Sequence, residues 1–268
     1  MQRLGIIDYF GVMFNFAGKT LTIAELEARK LHHDFTELLT RAVQPALWLL
    51  IFGEVLAQIR AIPTGNVPYV DFMAPGILAQ SVLFIAIFYG IAIIWERDLG
   101  IVQKFLATPT PRSALVLGKA LSAGERGLAQ AVIVYALAFA LGVHLNWNVL
   151  SLLVVVVVVV LGSALFSTFS LIIACLVKTR ERFMGIGQIL TMPLFFASNA
   201  IYPISIMPYW LQIVSQINPL TYEVDALRAL MLVNGPTVYG VAFDLLFLIV
   251  ASAINVAIAA KLYPRVAV

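Results

Sequence analysis

The sequence predicts an all-α integral membrane protein with six transmembrane helices. Of its 268 residues, 62% are hydrophobic and 12% are charged, so the charged share is about half that of an ordinary soluble domain. Six apolar stretches each reach the roughly 20 residues that a transmembrane helix requires. Lysine and arginine gather between alternate stretches, as they do in cytoplasmic loops. The remaining length is too short for a large soluble catalytic domain.

Before the first span, residues 21–39 have the pattern of an amphipathic helix. Apolar residues recur at intervals of three and four, and charged residues occupy the other face. The apolar set is Leu21, Ala24, Ala28, Leu31, Phe35 and Leu38, and the charged set is Glu25, Glu27, Arg29, Lys30 and Glu37. We expect this helix to lie in the membrane interface. Packing on a soluble partner is the alternative.

The six spans are predicted at about 41–59, 70–95, 114–141, 149–177, 183–203 and 239–262. Pro45 lies near the start of the first span, and a run of seven valines, 154–160, lies in the fourth. Valine is a poor helix former in water, but a strand in lipid would leave backbone groups unpaired, so the run must be helical. We therefore expect a single membrane domain over 1–268, with an N-terminal segment at 1–40 and the six-span bundle at 41–262.

The orientation of the bundle follows from the basic residues beside the spans. Fourteen of them fall on the side of the two termini, two fall on the opposite side, and Arg126 lies within the third span. The first set is Arg3, Lys19, Arg29, Lys30, Arg41, Arg97, Lys104, Arg112, Lys119, Lys178, Arg180, Arg182, Lys261 and Arg265, and the second is Arg60 and Arg228. Both termini are therefore predicted to be cytoplasmic, in agreement with an even number of spans.

The segment 204–233 is apolar but interrupted by prolines, so it is not predicted to be a seventh span. Pro208 begins a short helix, because proline is favoured in the first turn. Asn218-Pro219 begins a second one, which Asn234-Gly235-Pro236 ends. We expect a re-entrant hairpin that is buried against protein, because irregular backbone is not tolerated facing lipid. An outer loop lying on the headgroups is the alternative.

The chain carries no phosphate-binding loop for ATP. Gly118-Lys119 is followed by Ala120 and lacks the upstream glycine at the required spacing, so if ATP drives this protein another chain must bind it. None of the three histidines is paired with carboxylates at a metal-ligand spacing, and the single cysteine, Cys175, lies in an apolar stretch. We therefore expect no metal site. Nucleic-acid binding is not expected, because the basic residues form small clusters between spans.

The cytoplasmic loop at 96–112 is expected to contain a short helix from Asp98 to Leu106. Apolar residues of this helix, among them Val102 and Phe105, could sit in a groove, and a Thr-Pro-Thr-Pro sequence at 108–111 ends it. A short helix that is joined to a span at each end is a suitable lever for force from a soluble motor. An ordinary loop is the alternative.

Two ordered sets of residues carry a family resemblance. The first set is Glu96-Arg97-Asp98-Leu99-Gly100, Phe105-Leu106-Ala107-Thr108-Pro109, Arg112 and Gly118-Lys119. The second set is Lys178-Thr179-Arg180-Glu181, Pro193-Leu194, Tyr202-Pro203, Met207-Pro208-Tyr209-Trp210-Leu211, Asn218-Pro219-Leu220-Thr221-Tyr222, Asp225 and Arg228. Over essentially the whole chain, these sets resemble the type-2 ATP-binding-cassette (ABC) permeases, the family of the daunorubicin-resistance and nodulation-factor exporters. One departure is Asn199, where the family more often has glycine, and it bears on the local helix packing.

The resemblance implies two permease subunits that work with two ATPase subunits, and the ATPase subunits would bind ATP and magnesium. Two identical permease chains are expected rather than two different ones, in the plasma membrane of a bacterium or archaeon. The residues expected to couple to the ATPase are Glu96, Arg97, Gly100, Phe105, Leu106, Pro109 and Arg112. Those expected along a substrate path and outer gate, lined mainly by spans one, two and five, are Phe195, Phe196, Asn199, Tyr202, Trp210 and Tyr222. For Phe195 and Phe196, packing between helices is the alternative.

Ionisable residues inside spans are functional candidates, because burying a charge there costs about 3 kcal/mol or more. Glu125 and Arg126 lie in the third span and, as neighbours on a helix, point about 100° apart. A transport role and structural anchoring are both open, with Arg126 expected to extend toward the cytoplasmic headgroups. Glu54 and Asp244 lie near the outer ends of spans one and six, where hydrated, interfacial positions are expected.

The function that the resemblance implies is outward transport of an amphipathic or hydrophobic substrate, such as a drug, a natural product or a lipid-like molecule, driven by ATP hydrolysis on the partner subunit. A lipid-linked glycan or polysaccharide is an alternative substrate. A membrane-embedded lipid-modifying enzyme would need clustered Asp, His or Cys in its cytoplasmic loops, and lysine and arginine dominate these loops. A structural assembly protein without transport is a further alternative.

Overall fold

The computed structural model describes residues 18–22, 25, 35–59, 62–65, 67–108, 110–177 and 179–267. Within these ranges the fold is helical, and the only strand-like pairing is an isolated bridge between Leu145 and Leu232. The helices are α1 (Phe35–Leu47), α2 (Glu54–Ile59), α3 (Tyr69–Tyr89), α4 (Ile91–Asp98), α5 (Ile101–Ala107), α6 (Arg112–Ala140), α7 (Val149–Leu176), α8 (Arg180–Phe196), α9 (Tyr209–Ile217), α10 (Pro219–Met231) and α11 (Val241–Leu262). Most of the amphipathic helix predicted at 21–39 lies outside the described residues.

Four helical segments of the described chain are long and apolar enough to cross a membrane, namely Ala42–Ile59, Tyr69–Asp98, Val149–Leu176 and Val241–Arg265. They coincide with the predicted spans one, two, four and six, which confirms an all-helical, multi-pass membrane protein. The predicted third and fifth spans fall on α6 and α8. Charged side chains in the first half of α6 make it less apolar than the four segments above, and α8, with 17 residues, is shorter than they are. The count of six spans therefore stays a prediction.

The first span is one continuous helical rod with a change of winding. Pro45 has no N–H to donate and crowds the carbonyl of the preceding turn, which weakens α1 at this point. The next six residues, Trp48–Gly53, form a π-helix, and α2 completes the span. Most of its apolar side chains remain exposed, including Leu50, Ile51 and Phe52. The chain therefore leaves this span largely uncovered by its own helices.

Helix α7 is the centre of the bundle and packs against α3, α6, α10 and α11. Val155, Val158 and Val159 from the valine run are buried there. Small residues allow α6 to approach α7 closely, since a Cβ atom at Gly127 would lie 2.3 Å from Ser163 Oγ. Glycine plays this role because interfaces between transmembrane helices depend on close van der Waals packing.

Helix α8 ends at Phe196, so the predicted boundary at 203 is wrong. Residues 197–201 form a buried turn, which is stable because side chains bind the free carbonyl groups of the helix end. Asn218 Nδ2 donates to Leu194 O at 2.6 Å, and Ser198 Oγ donates to Phe195 O at 2.7 Å. Composition indicated an apolar segment up to 203, but it did not indicate that these donors permit an earlier stop.

Two short helices, α9 and α10, follow the prolines as predicted, after a 3-10 turn at Ile204–Ile206. The Asn218 side chain accepts a hydrogen bond from Leu220 N at 3.0 Å and so caps α10, with Pro219 in its first turn. Helix α10 ends at Met231, two residues before the predicted end at 233. Almost all of α10 is buried, whereas most side chains of α9 are exposed or half-buried.

The contact between α3 and the turn after α8 gives a stability prediction. A Cβ atom at Gly76 would lie 2.3 Å from the backbone oxygen of Ala200. Gly76→Ala is therefore expected to lower the free energy of unfolding by about 1–3 kcal/mol, the usual cost of overpacking. The measurement is thermal unfolding of the purified protein in detergent. Gly185→Ala is the control, because nothing lies within 4 Å of its added Cβ. Equal melting temperatures for the two variants would contradict the assigned contact.

Candidate functional site

The connection between α3 and α6, which is predicted to be cytoplasmic, folds as two helices with a sharp turn between them. Helix α4 extends through Asp98, and α5 begins only at Ile101, so the single helix predicted from Asp98 to Leu106 is wrong at its start. Gly100 forms the turn with a φ of 70°, in the left-handed region that glycine adopts without strain. The turn sets α5 at a new angle to α4.

One face of α5 is used by the chain itself. Val102 is 0% exposed and packs in a cluster with Ile93, Leu115 and Tyr263. Phe105 and Leu106, two of the predicted coupling residues, pack against the same cluster. The side chains directed outward are Leu99, Gln103, Lys104 and Ala107, which we name the exposed α5 face. Sequence reasoning did not single out Gln103, although a spacing of four residues places it on the same face as Leu99 and Ala107.

Glu96 is a buried residue whose carboxylate is directed into the protein. Lys119 Nζ of α6 donates to Glu96 Oε2 at 2.7 Å, and both side chains are nearly inaccessible to solvent. The pair fastens the end of α4 to α6. Direct contact of Glu96 with an ATPase stays a prediction. Of the other coupling candidates, Arg112 is exposed at the start of α6, and Pro109 lies outside the described residues.

A second polar contact joins α4 to α8, and sequence reasoning missed it. Arg180 Nη2 donates to Asp98 Oδ2 at 2.8 Å, and the Arg180 guanidinium lies 3.5 Å from the centre of the Trp95 ring. The other oxygen of Asp98 accepts from Arg97 Nη2 at 3.0 Å. Asp98 belongs to the first set of resembling residues and Arg180 to the second. The signal for this contact was that both sets have charged residues on the predicted cytoplasmic side.

The two charged candidates of the third span differ in their surroundings. Arg126 is buried, donates from Nη1 to Ser122 Oγ at 2.9 Å and lies over the Tyr89 ring at 4.3 Å. Its expected extension to the headgroups is therefore wrong, because an aromatic face and a hydroxyl group bind the guanidinium within the protein. Glu125 is half-buried one position earlier. Neither observation decides between a transport role and structural anchoring.

The candidates for the substrate path lie in different surroundings. Phe195 is fully buried, edge-to-face with Trp48 at 5.5 Å, whereas the neighbouring Phe196 is exposed. Tyr222 is buried and stacks on Phe247 at 3.9 Å. The remaining three are placed as follows: Trp210 is exposed on α9, Asn199 is buried in the turn after α8, and Tyr202 Oη donates to the carbonyl oxygen of Phe196. The six residues therefore do not line one common surface.

A cavity of about 310 Å³ lies between α1, α3 and α6. It combines apolar walls with polar groups, which is the composition of many small-molecule sites. Its lining residues are Gln44, Pro45, Ser81, Phe84, Ile85, Phe88 and Gln130. Sequence reasoning did not predict this set, although glutamine and serine inside membrane helices are a usable signal for it.

The outer hairpin is fixed by buried charges. Arg228 is 2% exposed, donates from Nη2 to Asn199 O at 2.7 Å and to Phe72 O at 3.3 Å, and lies over the Phe72 ring at 3.7 Å. Although the basic-residue count placed Arg228 among the outer loop charges, it is an internal residue. On the same helix, the Asp225 carboxylate accepts from the backbone N–H groups of Val238 and Tyr239.

Two further acidic residues are fully buried. Asp244 is 0% exposed and its carboxylate lies close to that of Asp225, so its expected hydrated position is wrong. Glu54 is exposed, and its interfacial position stays a prediction. Glu223, which sequence reasoning missed, is also 0% exposed, and neither of its carboxylate oxygens has a hydrogen-bond partner among the described residues. Gly162 of α7 makes room for it, since an added Cβ would lie 2.3 Å from Glu223 Oε1.

The Glu96–Lys119 pair gives the second prediction. Lys119→Met removes the lysine that binds the buried Glu96 carboxylate, and breaking a buried ion pair in this way costs about 3–5 kcal/mol. We expect a clear drop in the melting temperature of the purified protein. The double variant Glu96→Gln with Lys119→Met is expected to recover part of that loss, because no unpaired charge remains. If the double variant is at least as destabilised as the single one, the pair does not have the buried, mutually compensating character described above.

Comparison with known proteins agrees with this architecture. Residues 19–232 match the family described as ABC-2 type transporter. The chain is 30% identical over 196 residues to a putative transport permease, ycf38, of Cyanophora paradoxa, a match that covers 72% of this chain and 67% of that one. It is 26% identical over 197 residues to nodulation protein J of Rhizobium leguminosarum bv. trifolii, covering 73% and 74% of the two chains. It is 24% identical over 199 residues to the daunorubicin resistance ABC transporter permease protein DrrB1 of Streptomyces coeruleorubidus, covering 74% and 70%. The chain therefore belongs to the ABC-2 type transporter permease family.

Proposed function

We propose that this chain is the membrane-spanning subunit of an ABC exporter that moves an amphipathic or hydrophobic substrate outward. ATP hydrolysis on a separate nucleotide-binding subunit drives the transport. The observation that carries the proposal is α5, a short helix outside the predicted spans whose inner face is anchored in the bundle and whose outer face is exposed. Family membership supports it, since ABC-2 permeases work with an ATP-binding subunit.

The anchoring of α5 suits it to receive force. Val102 packs against residues of α4, α6, α7 and the end of α11, so a displacement of α5 acts on several membrane helices at once. Its exposed face has one cation, Lys104, among neutral residues, and an acidic or apolar cleft on an ATPase fits that surface. The predicted cytoplasmic side, which carries fourteen of the seventeen basic residues, agrees with this placement.

The substrate is proposed to pass next to the first span and α8. Both helices expose apolar side chains over most of their length, and they touch each other through Trp48 and Phe195. A second copy of the chain that covers these faces would enclose a path with apolar walls. The cavity beside Gln44 and Gln130 adds a polar point of attachment for an amphipathic molecule. We therefore favour a drug, natural product or lipid-like substrate, and a homodimer in the plasma membrane.

The coupling proposal is tested on the exposed α5 face. Lys104→Glu combined with Leu99→Asp is expected to reduce both co-purification of the ATP-binding subunit and the ATPase activity of the complex by about tenfold or more. The first change reverses the charge of this face, and the second replaces its apolar side chain by a carboxylate. Lys261→Glu, at another exposed lysine near the predicted cytoplasmic end, is the control and should leave both values unchanged. Unchanged association and ATPase activity in the α5 variant would rule out this docking face.

The dimer proposal is tested by cross-linking in native membranes, in a Cys175→Ala background that removes the single cysteine. Ile189→Cys on α8 is expected to give a covalent dimer with a short bifunctional maleimide. Val132→Cys on α6 has the same exposure, 71%, and should not, because it lies on a different face of the bundle. Equal cross-linking at both positions would contradict an interface that includes α8.

A further inference from the structure

The last turn of α4 and the first turn of α8 are joined at two levels. Nearer the loop ends, Arg180 lies between the Asp98 carboxylate and the Trp95 ring, with distances of 2.8 Å and 3.5 Å. One turn further into the bundle, Phe183 of α8 is 0% exposed and packs with Ile94 of α4. The two levels together prevent the start of α8 from sliding or rotating independently of α4.

The Arg180 contact has a geometry that an ordinary surface ion pair lacks. An exposed pair alone contributes little to stability, and Asp98 is exposed. Here the guanidinium is also stacked on an indole ring, an arrangement that depends on its planar shape and that lysine does not reproduce. Asp98 is held in place from the other side by Arg97. The contact therefore fixes the direction of the Arg180 side chain rather than only neutralising its charge.

Two residues in the last turn of α4 bind two different helices. Glu96 binds Lys119 of α6, and Asp98 binds Arg180 of α8. Both lie in the turn that immediately precedes Gly100, where the chain changes direction into α5. A displacement of α5 therefore reaches α6 through one contact and α8 through the other.

Helix α8 has few other attachments through which such a displacement could arrive. Over its middle, residues 184–186, 188 and 189 are exposed, and its packing partners along the span are α3 and α7. Near its far end, Phe195 contacts Trp48, and Leu194 O accepts from Asn218. The exposed face is the one that the proposed function places beside the substrate path. The start of α8 is therefore the point where a cytoplasmic movement enters this helix.

We propose that Arg180 is a positioning residue that transmits the movement of α5 to α8 through Asp98 and Trp95. This inference rests on the proposed function, because it needs an ATP-binding subunit that moves α5. Loss of the contact uncouples α8 from α5, while docking of the ATP subunit on the exposed α5 face is retained.

The test uses the complex with its ATP-binding subunit and pulsed electron paramagnetic resonance on two spin-label pairs in the Cys175→Ala background. A Gln103–Ile258 pair reports the movement of α5 relative to α11, and a Met192–Ile258 pair reports that of α8. All three labelled positions are exposed. In the otherwise unchanged protein, both distance distributions are expected to shift between the nucleotide-free state and the state trapped with ATP and vanadate.

Arg180→Gln is expected to leave the α5 shift intact and to reduce the α8 shift by at least about half. Arg180→Lys keeps the charge but not the stacking, so it is expected to restore only part of the α8 shift. Arg182→Gln, a change at an exposed arginine in the same first turn of α8, should alter neither shift. Trp95→Leu provides a second variant that removes the stacking without touching the charges, with the same expected loss as Arg180→Gln.

The possible results distinguish a failure of the role proposed for Arg180 from a failure of the proposed function. A full α8 shift in both Arg180→Gln and Trp95→Leu overturns the transmission role of Arg180. Equal loss of the α5 and α8 shifts in these variants also overturns it, because it assigns Arg180 to docking or to general stability. Absence of any nucleotide-dependent shift in the unchanged complex overturns the proposed function itself.

Discussion

The half of the structure that contains α9 and α10, which is predicted to be the outer half, depends on the buried guanidinium of Arg228. Lipid offers no hydrogen-bond partners, so a helix that stops within the membrane must have its free carbonyl groups satisfied by the protein. Arg228 binds the carbonyl oxygen of Asn199 after α8 and that of Phe72 in α3. With Asn218 bound to Leu194 O, it allows α8 to end early and the chain to turn back as a hairpin. The shape of the outer side is therefore set by where donors are available, not by where apolar sequence ends.

The sequence predicted the parts of the fold that depend on local composition. Apolar length located the four helical segments that are long enough to cross a membrane, and the prolines at 208 and 219 located α9 and α10. The prediction was less successful where a distant residue decides the outcome. Asp244 was expected in water because it lies near a helix end, but the hairpin and the loop before α11 cover it. Arg126 was expected to reach the headgroups, but Tyr89 on another helix binds it first.

The candidate coupling residues illustrate the same limit. Periodicity identifies an apolar face on the segment before α6, but it does not tell whether that face meets a partner or the chain's own bundle. In the structure, Phe105 and Leu106 pack inward and Lys104 remains outside. Glu96 matches the family pattern and yet is directed at Lys119. The role of this region in coupling stays a prediction, and only the three-dimensional arrangement distinguishes residues that hold α5 in place from residues whose side chains are exposed.

The ionisable side chains of α10 have a consequence for the order in which the protein is assembled in the membrane. Helix α10 carries Glu223, Asp225 and Arg228 over fewer than two turns, which makes its independent entry into lipid costly. The carbonyl groups that bind Arg228 and the space at Gly162 are supplied by α3, the turn after α8 and α7. Those elements precede α10 in the chain and leave the translocation machinery first. Helix α10 therefore follows, in chain order, the elements that hold Arg228 and make room for Glu223, and the loop that binds Asp225 and α11 come after it.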